Sequence, residues 1–484
     1  MPVIPNREKS RQDEHTGFRA RPPRWSVPGD GSRLELATLE VPVDYRDPQG
    51  ARLTLAVSRL RAKDPAARRG VLVAVHGGPG GDGGLGRRLP EQLADSPVAE
   101  AYDLIGVDLR GTGDSTQLHA EESPTTVSFD SRPSDEDFAG LTADMRERER
   151  GCERAGGSLR RHISTRNSAR DLDVIREVLG EERISYLGYA YGTLLGAVYG
   201  TLFPGRLDRS VLDSSVHPGW TWREQFMSQA VATRENVDKW AEWTGERDGH
   251  FGLGTSAAAV LATVETVAGA GDHALHTRVD GMIGTLSASR PRWEDLALTV
   301  GRLRAALAEG NAEQVSALLA GQSTWRPGKA AGGFREAVLE AVTCETDWPT
   351  DLETYYRDMR AFREHYPYGY GVLRAQPWVG TFRSFSPPEP PTVLERAGYP
   401  PGIVVQADGD PLDHHSGATA MAERLGHSLI MVDDSGEHEI YRRCGNTAVD
   451  AHVDRYLLEG VLPPPRVHCP GPPRPAVAPD PRGA

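Results

Sequence analysis

Apolar and polar positions alternate in two stretches near the start of the chain, Leu34-Glu35-Leu36-Ala37-Thr38-Leu39-Glu40-Val41 and Leu53-Thr54-Leu55-Ala56-Val57. A period of two puts the apolar side chains on one face of an extended strand. The turn signal Asp47-Pro48-Gln49-Gly50 lies between them, so the pair is predicted to form a β-hairpin at a sheet edge. Continuous apolar runs follow: Val71 to Val75, Leu104 to Val107, Ile184 to Leu187 and Ser210 to Leu212, then Ile403 to Val405 and Leu429 to Val432 late in the chain. Such runs mark strands buried on both faces. Helical patterns separate several of them, among them Ala169 to Leu179, with Leu172, Ile175 and Leu179 on one face and Gly180 as the stop. Strand–helix alternation with buried strands predicts an α/β fold, a mostly parallel sheet covered on both sides by helices.

Between residues 219 and 385 the strand runs give way to helical segments such as Ala257 to Val267 and Leu296 to Leu307. The pattern predicts a helical cap inserted into the sheet domain, with the run Phe385-Ser386-Pro387-Pro388-Glu389-Pro390-Pro391 as its return linker. The expected organisation is a polar N-terminal tail over 1–30 and a first part of the core over 31–218. The cap follows over 219–385, a second part of the core over 386–469, and a loose Pro-rich tail over 470–484.

Composition narrows the function classes. A net charge of −13 argues against nucleic acid and anionic membrane as partners, since both require a basic face. No stretch approaches the roughly 20 apolar residues of a membrane-spanning helix. The N-terminal residues carry no apolar core of a signal peptide, so a cytoplasmic setting is the expectation, with secretion after removal of a leader as the alternative. The four cysteines Cys152, Cys344, Cys444 and Cys469 permit two disulfides in three pairings or four ordinary thiols.

The chemistry concentrates where strands end. Ile184 to Tyr189 runs into Gly188-Tyr189-Ala190-Tyr191-Gly192 and then a helical pattern. The serine-hydrolase form of this strand-to-helix elbow is G-x-S-x-G. Here the glycines are in place and Ala190 stands where the nucleophile belongs. Val75-His76-Gly77-Gly78-Pro79-Gly80-Gly81 follows an earlier strand and supplies the glycines that let backbone N–H groups face a substrate oxygen. Gly78 and Tyr191 are the expected oxyanion donors. Gly78 to Gly83 also matches G-x-G-x-x-G, with Asp108 as a candidate ribose acid, but no helix pattern opens on that run. Asp108-Leu109-Arg110-Gly111-Thr112-Gly113-Asp114-Ser115 reads as a structural loop tied down by Arg110.

The late strands end in Asp408-Gly409-Asp410 and in Asp433-Asp434-Ser435-Gly436-Glu437-His438. The order nucleophile, acid, histidine is that of the α/β-hydrolase triad. Asp410 is expected to orient His438, with Asp408 and Asp213 as rival acids, and His438 to act as general base and then acid. A metal reading through Asp413, His414, His415 and His438 has no evident ligand set, so neither metal nor cofactor is expected.

HGGPGG, DLRGTGDS, GYAYGTLLGAVYGTLFP, ADGDPLD and SGEHEIY together resemble the actinobacterial tripeptidyl aminopeptidases, relatives of the prolyl aminopeptidases in the α/β-hydrolase superfamily. The resemblance covers about 34–218 and 400–469, and in the cap mainly Cys344-Glu345-Thr346-Asp347-Trp348. It implies an exopeptidase or amidase acting at the free N-terminus of short peptides or peptide-like amides, a small-molecule partner. By similarity Ala190, Asp410 and His438 hold the three triad positions, and Glu345 and Asp347 are candidates for binding the substrate ammonium. Cys444 and Cys469 match a family pair near the C-terminus. Three departures stand out: Ala190 for serine, Asp413-His414 for a usual Thr-Pro, and no cysteine pair in Trp243 to Gly254. Hydrolysis is therefore expected to be nearly abolished. The alternatives are a naturally serine-less enzyme of small-molecule biosynthesis working through His438 and Asp410, or a binding protein without turnover.

Overall fold

The computed structural model describes residues 18–29, 33–80, 85–123, 125–320 and 333–481. Residues 1–17 of the expected N-terminal tail, and Gly81 and Gly83 of the Gly-rich run, lie outside them. The nine strands of the main sheet are β1 (Glu35–Pro42), β2 (Arg52–Leu60), β3 (Gly70–Val75), β4 (Tyr102–Asp108), β5 (Ile184–Tyr189), β6 (Leu207–Asp213), β7 (Ile403–Ala407), β8 (Ser428–Asp433) and β9 (Arg466–Pro470). Their spatial order is β1-β2-β4-β3-β5-β6-β7-β8-β9. The hairpin pairs Leu39 with Leu55 and joins β4 antiparallel; every other pairing is parallel.

The pleat sorts each run into two cores. Val71, Val73 and Val75 face one side, with Leu172 and Ile175 of the helix Thr165–Val178 and Leu195 and Val198 of Tyr191–Leu202. Leu72 and Ala74 face the other, with Val449, Val453 and Leu457 of Thr447–Glu459. Both faces are buried, which is why these strands read as continuous apolar runs rather than alternations.

A third core lies apart from the sheet. Trp222–Gly245, Ala257–Gly269, His273–Ser287 and Trp293–Ala308 pack Trp240, Trp243, Val264, Ile283, Trp293 and Val300 against one another. Thr221 closes the first of these helices with a capping box to Glu224. Strand structure does not vanish here entirely, because Phe334–Glu336 pairs antiparallel with His119–Glu121. The helical layer also draws on residues before the elbow. Arg132, in the loop ahead of the helix Phe138–Gly156, holds Asp280 at 2.7 Å and Glu265 at 2.9 Å.

The described part of the polar N-terminal tail and the C-terminal segment expected to be loose are both docked. Phe18 is buried and Ser26 bridges to Leu36. At the other end Asp480 donates its N–H to the Glu246 carbonyl, and Val477 packs on the helical core. The Pro-rich composition misled here because proline removes donors without removing apolar surface. Arg110 does tie down its loop. Its guanidinium, buried, spans both carboxylate oxygens of Asp171 at 2.6 and 2.7 Å and reaches the carbonyls of Val43 and His162.

Candidate active site

The loops after β3, β5, β6, β7 and β8 leave the same edge of the sheet, the carboxyl end of parallel strands where α/β sites form. Ala190 sits between β5 and the helix Tyr191–Leu202 with φ 47° and ψ −116°. Positive φ in a residue with a Cβ costs on the order of 1–3 kcal/mol and persists only where the surroundings enforce it. They do so here. The Ala190 N–H donates to the Asp213 carbonyl at 2.9 Å, and the Ala190 carbonyl accepts from the N–H and the hydroxyl of Thr193. Close approach requires Gly192, where a Cβ would stand 2.8 Å from the Val75 carbonyl oxygen.

The Gly-rich loop lies directly against the elbow. A Cβ on Gly77 would stand 2.8 Å from the Ala190 Cβ and 2.9 Å from Glu439 Oε1. Gly78 holds φ +115°, a conformation left to glycine. Tyr191 opens its helix, so its N–H is a first-turn donor that no intrahelical carbonyl can take.

His438 donates from Nδ1 to Asp410 Oδ2 at 2.8 Å, which leaves Nε2 as the nitrogen for proton transfer. Asp410 is buried and fully employed. Oδ1 accepts the N–H groups of Leu412 and Asp413 at 2.9 and 3.0 Å, and Oδ2 also accepts from Gln406 at 3.3 Å. Burial opposes charge on His438, but Asp410, by charge and hydrogen bond, outweighs it with Asp413 and Glu439 behind. The imidazole pKa is lifted to about 10. Asp413 lies 3.9 Å from His438 Nδ1, and burial pushes its carboxyl up to about 8.

The two rival acids have other work. Asp408 accepts from Lys239 at 3.0 Å and from the Ser435 N–H. Asp213 is the post between elbow and histidine loop: its carboxylate accepts the N–H groups of Ile440 and Tyr441 at 3.1 and 2.6 Å. Burial raises the Asp213 carboxyl to about 6. Asp108 is likewise spent, on Arg87 and the Asp114 N–H, so the dinucleotide reading loses its ribose acid. The metal reading divides in two. Asp413 clusters with Asp410 and His438, whereas His414 and His415 cluster with Glu235.

A cavity of about 110 Å³ opens along the helix that follows the elbow, walled by Thr165, Leu194, Val216, Trp222, Gln225 and Glu345 and not by Ala190, Asp410 or His438. Glu345 accepts only from neutral donors: the Thr165 N–H at 2.9 Å, its hydroxyl at 2.8 Å and Trp222 Nε1 at 3.3 Å. Burial raises its carboxyl above the usual range. Asp347 shares with Glu345 the wall of an adjoining, more open cavity of about 650 Å³. Its side chain is 98% exposed and pairs with Arg383 on the outer surface. All four cysteines are free thiols; Cys444, matched by the family to Cys469, rests its sulfur against the carbonyls of His438 and Glu439.

Sequence reasoning missed two contributors. Gln225 donates to Asp413 Oδ1 at 2.6 Å from a helix 188 positions away, with no local signal. Glu439, at φ +59°, does carry a signal: it and Glu437 flank the histidine, two carboxylates on either side of a triad position.

A family model described as the α/β hydrolase fold matches residues 70–441. A tripeptidyl aminopeptidase of Streptomyces lividans is 30% identical over 461 residues, 90% of this chain and 83% of that protein. A serine protease of Mycobacterium tuberculosis (strain ATCC 25618 / H37Rv) is 27% identical over 490 residues, covering 94% of this chain and 90% of its own. Carboxylesterase B of the same strain is 30% identical over 458 residues, 90% and 86% of the two chains. Among the described residues no helix is long and apolar enough to cross a membrane.

Proposed function

The chain belongs to the α/β-hydrolase fold family, with the tripeptidyl aminopeptidases among its relatives, and we propose that it binds the N-terminal end of short peptides or peptide-like amides at a serine-peptidase site with alanine in the nucleophile's place. The carrying observation is the 2.8 Å His438–Asp410 pair on the same sheet edge as a strained elbow that ends in Ala190. Gly78 and Tyr191 supply the oxyanion donors in this reading. Glu345 takes the substrate ammonium, because a buried carboxyl with only neutral donors gains most from a cation. The 110 Å³ cavity at Glu345 suits the amine end of a ligand, and the adjoining cavity of about 650 Å³, walled by Trp220, Glu345, Asp347 and Pro391, offers room for the rest.

Loss of a triad nucleophile costs on the order of a million-fold in turnover. Binding is expected to persist, since Glu345 and the Gly-rich loop are untouched by the exchange. The test is Ala190→Ser assayed on a panel of aminoacyl and short peptidyl anilides. Hydrolysis should rise by several orders of magnitude; a variant that folds yet gains nothing across the panel overturns the reading.

A second reading draws on Glu439. Its carboxylate lies beside the Gly-rich loop and, although Arg443 pairs with its other oxygen, presents Oε1 where negative charge opposes a developing oxyanion. With His438 held cationic, this arrangement favours proton donation by a serine-less enzyme on a small molecule. That reading predicts product formation that His438→Ala abolishes and Ala190→Ser does not improve. An intracellular setting is supported by the four free thiols.

A further inference from the structure

We propose that Glu235, His414 and His415 form a binding site for one divalent transition-metal ion of the Zn²⁺ class, bridging the helix Trp222–Gly245 to the loop that carries Asp410. Their ligand atoms lie within 4.8 Å of one another. His414 Nε2 stands 3.4 Å from Glu235 Oε1, and His415 Nε2 stands 3.9 Å from Oε2.

Consecutive histidines seldom converge, because neighbouring side chains on a regular element point apart. Here the backbone turns between them. His414 is the N-cap, extended at φ −58° and ψ 134°, and His415 is the first residue of the helix His415–Leu425. The rings lie with centroids 4.3 Å apart and planes 33° apart, both tips toward the one carboxylate.

Ligands 2.0–2.2 Å from a tetrahedral metal sit roughly 3.3 Å from one another, so small side-chain rotations close this set. His414 Nδ1 is 2.8 Å from the Ser416 hydroxyl. The Ser416 N–H donates to that same nitrogen at 3.3 Å, so Nε2 carries the ring proton toward Glu235; an ion taking Nε2 would shift the proton to Nδ1, which then donates to the Ser416 hydroxyl. The nearby cation Lys239 is engaged by Asp408 at 3.0 Å. Glu235, His414 and His415 are all partly exposed, which leaves a path for the ion and a fourth position for water. Two imidazoles and one carboxylate suit Zn²⁺, Ni²⁺ or Cu²⁺ and not Mg²⁺ or Ca²⁺, which demand oxygen shells.

Such an ion would add a fourth tie between this helix and the acid loop. Gln225 already holds Asp413, Asn236 holds the Gly409 carbonyl at 2.7 Å, and Lys239 holds Asp408. The inference is independent of the reaction proposed above.

The experiment is titration of the untagged full chain with ZnCl₂, followed by calorimetry and thermal unfolding. One equivalent should bind and raise the melting temperature, and MgCl₂ should do neither. Glu235→Gln, His415→Ala and His414→Ser, the last keeping an N-cap oxygen, should each weaken binding at least about tenfold. His438→Ala should leave it unchanged. No saturable Zn²⁺ binding, binding indifferent to the three variants, or binding lost with His438→Ala overturns the proposal.

Discussion

Ala190 keeps the backbone of a nucleophile without the atom that uses it. The strain is enforced by Asp213, Thr193 and the closeness of Gly192 to β3, none of which involves the missing hydroxyl. Placing serine there therefore requires no refolding of the turn. The protonation of His438 decides what such a serine can do. Its pKa lies above the ordinary histidine value, so its stabilising share is full below pH ~6.5 and fades as pH rises through about 10. A base must be neutral, so kcat/KM of Ala190→Ser should climb with pH toward that value. A profile already flat at pH 7 would contradict the charged imidazole. In the unchanged chain, NMR titration should find His438 still cationic at pH 8. Asp410→Asn should lower the His438 pKa, since Asp413 and Glu439 are then left to oppose burial.

The helix Trp222–Gly245 is the element that positions the acid. Gln225, Asn236 and Lys239 contact the loop from Asp408 to Asp413 along one helix face. Removing a buried partner typically costs ~1–3 kcal/mol, because the group left behind loses water as well as its bond. Gln225→Leu with Asn236→Leu should lower the unfolding free energy, read from urea melts, by that order per site. In an Ala190→Ser background it should depress kcat more than it raises KM. Equal activity with lowered stability would make the helix a packing element only. Residues 386–394 have the reverse character: they have no regular structure, yet Glu389 anchors them to Arg170 at 2.5 and 2.8 Å, and they wall the cavity from above.

At the scale of the molecule, the C-terminal segment is a seam. Arg474 pairs with Asp434 on the histidine side and lies 4.6 Å over the Trp293 ring of the helical core, while Val477 and Asp480 dock farther along it. Ending the chain at Pro470 should lower the melting temperature by roughly 1 °C per kcal/mol lost in a chain of this length. It should also loosen the helical layer against the histidine loop. Unchanged thermal unfolding of the shortened chain would assign the segment no such role.

What the sequence determined by itself is what is local. Strand burial, the hairpin, the elbow and the order of Ala190, Asp410 and His438 follow from side-chain period, glycine placement and strand ends, all set within about ten residues. The choice of acid was already weaker, since Asp408 and Asp410 differ by two positions and share a period. Only the fold assigned one to Lys239 and the other to His438. Gln225 beside Asp413, Glu345 buried on the cavity wall with Asp347 exposed at its outer rim, and Glu235 between two histidines required tertiary structure. These groups come from segments tens to hundreds of residues apart. Their roles depend on burial and on the charges that meet there, and no spacing along the chain encodes either.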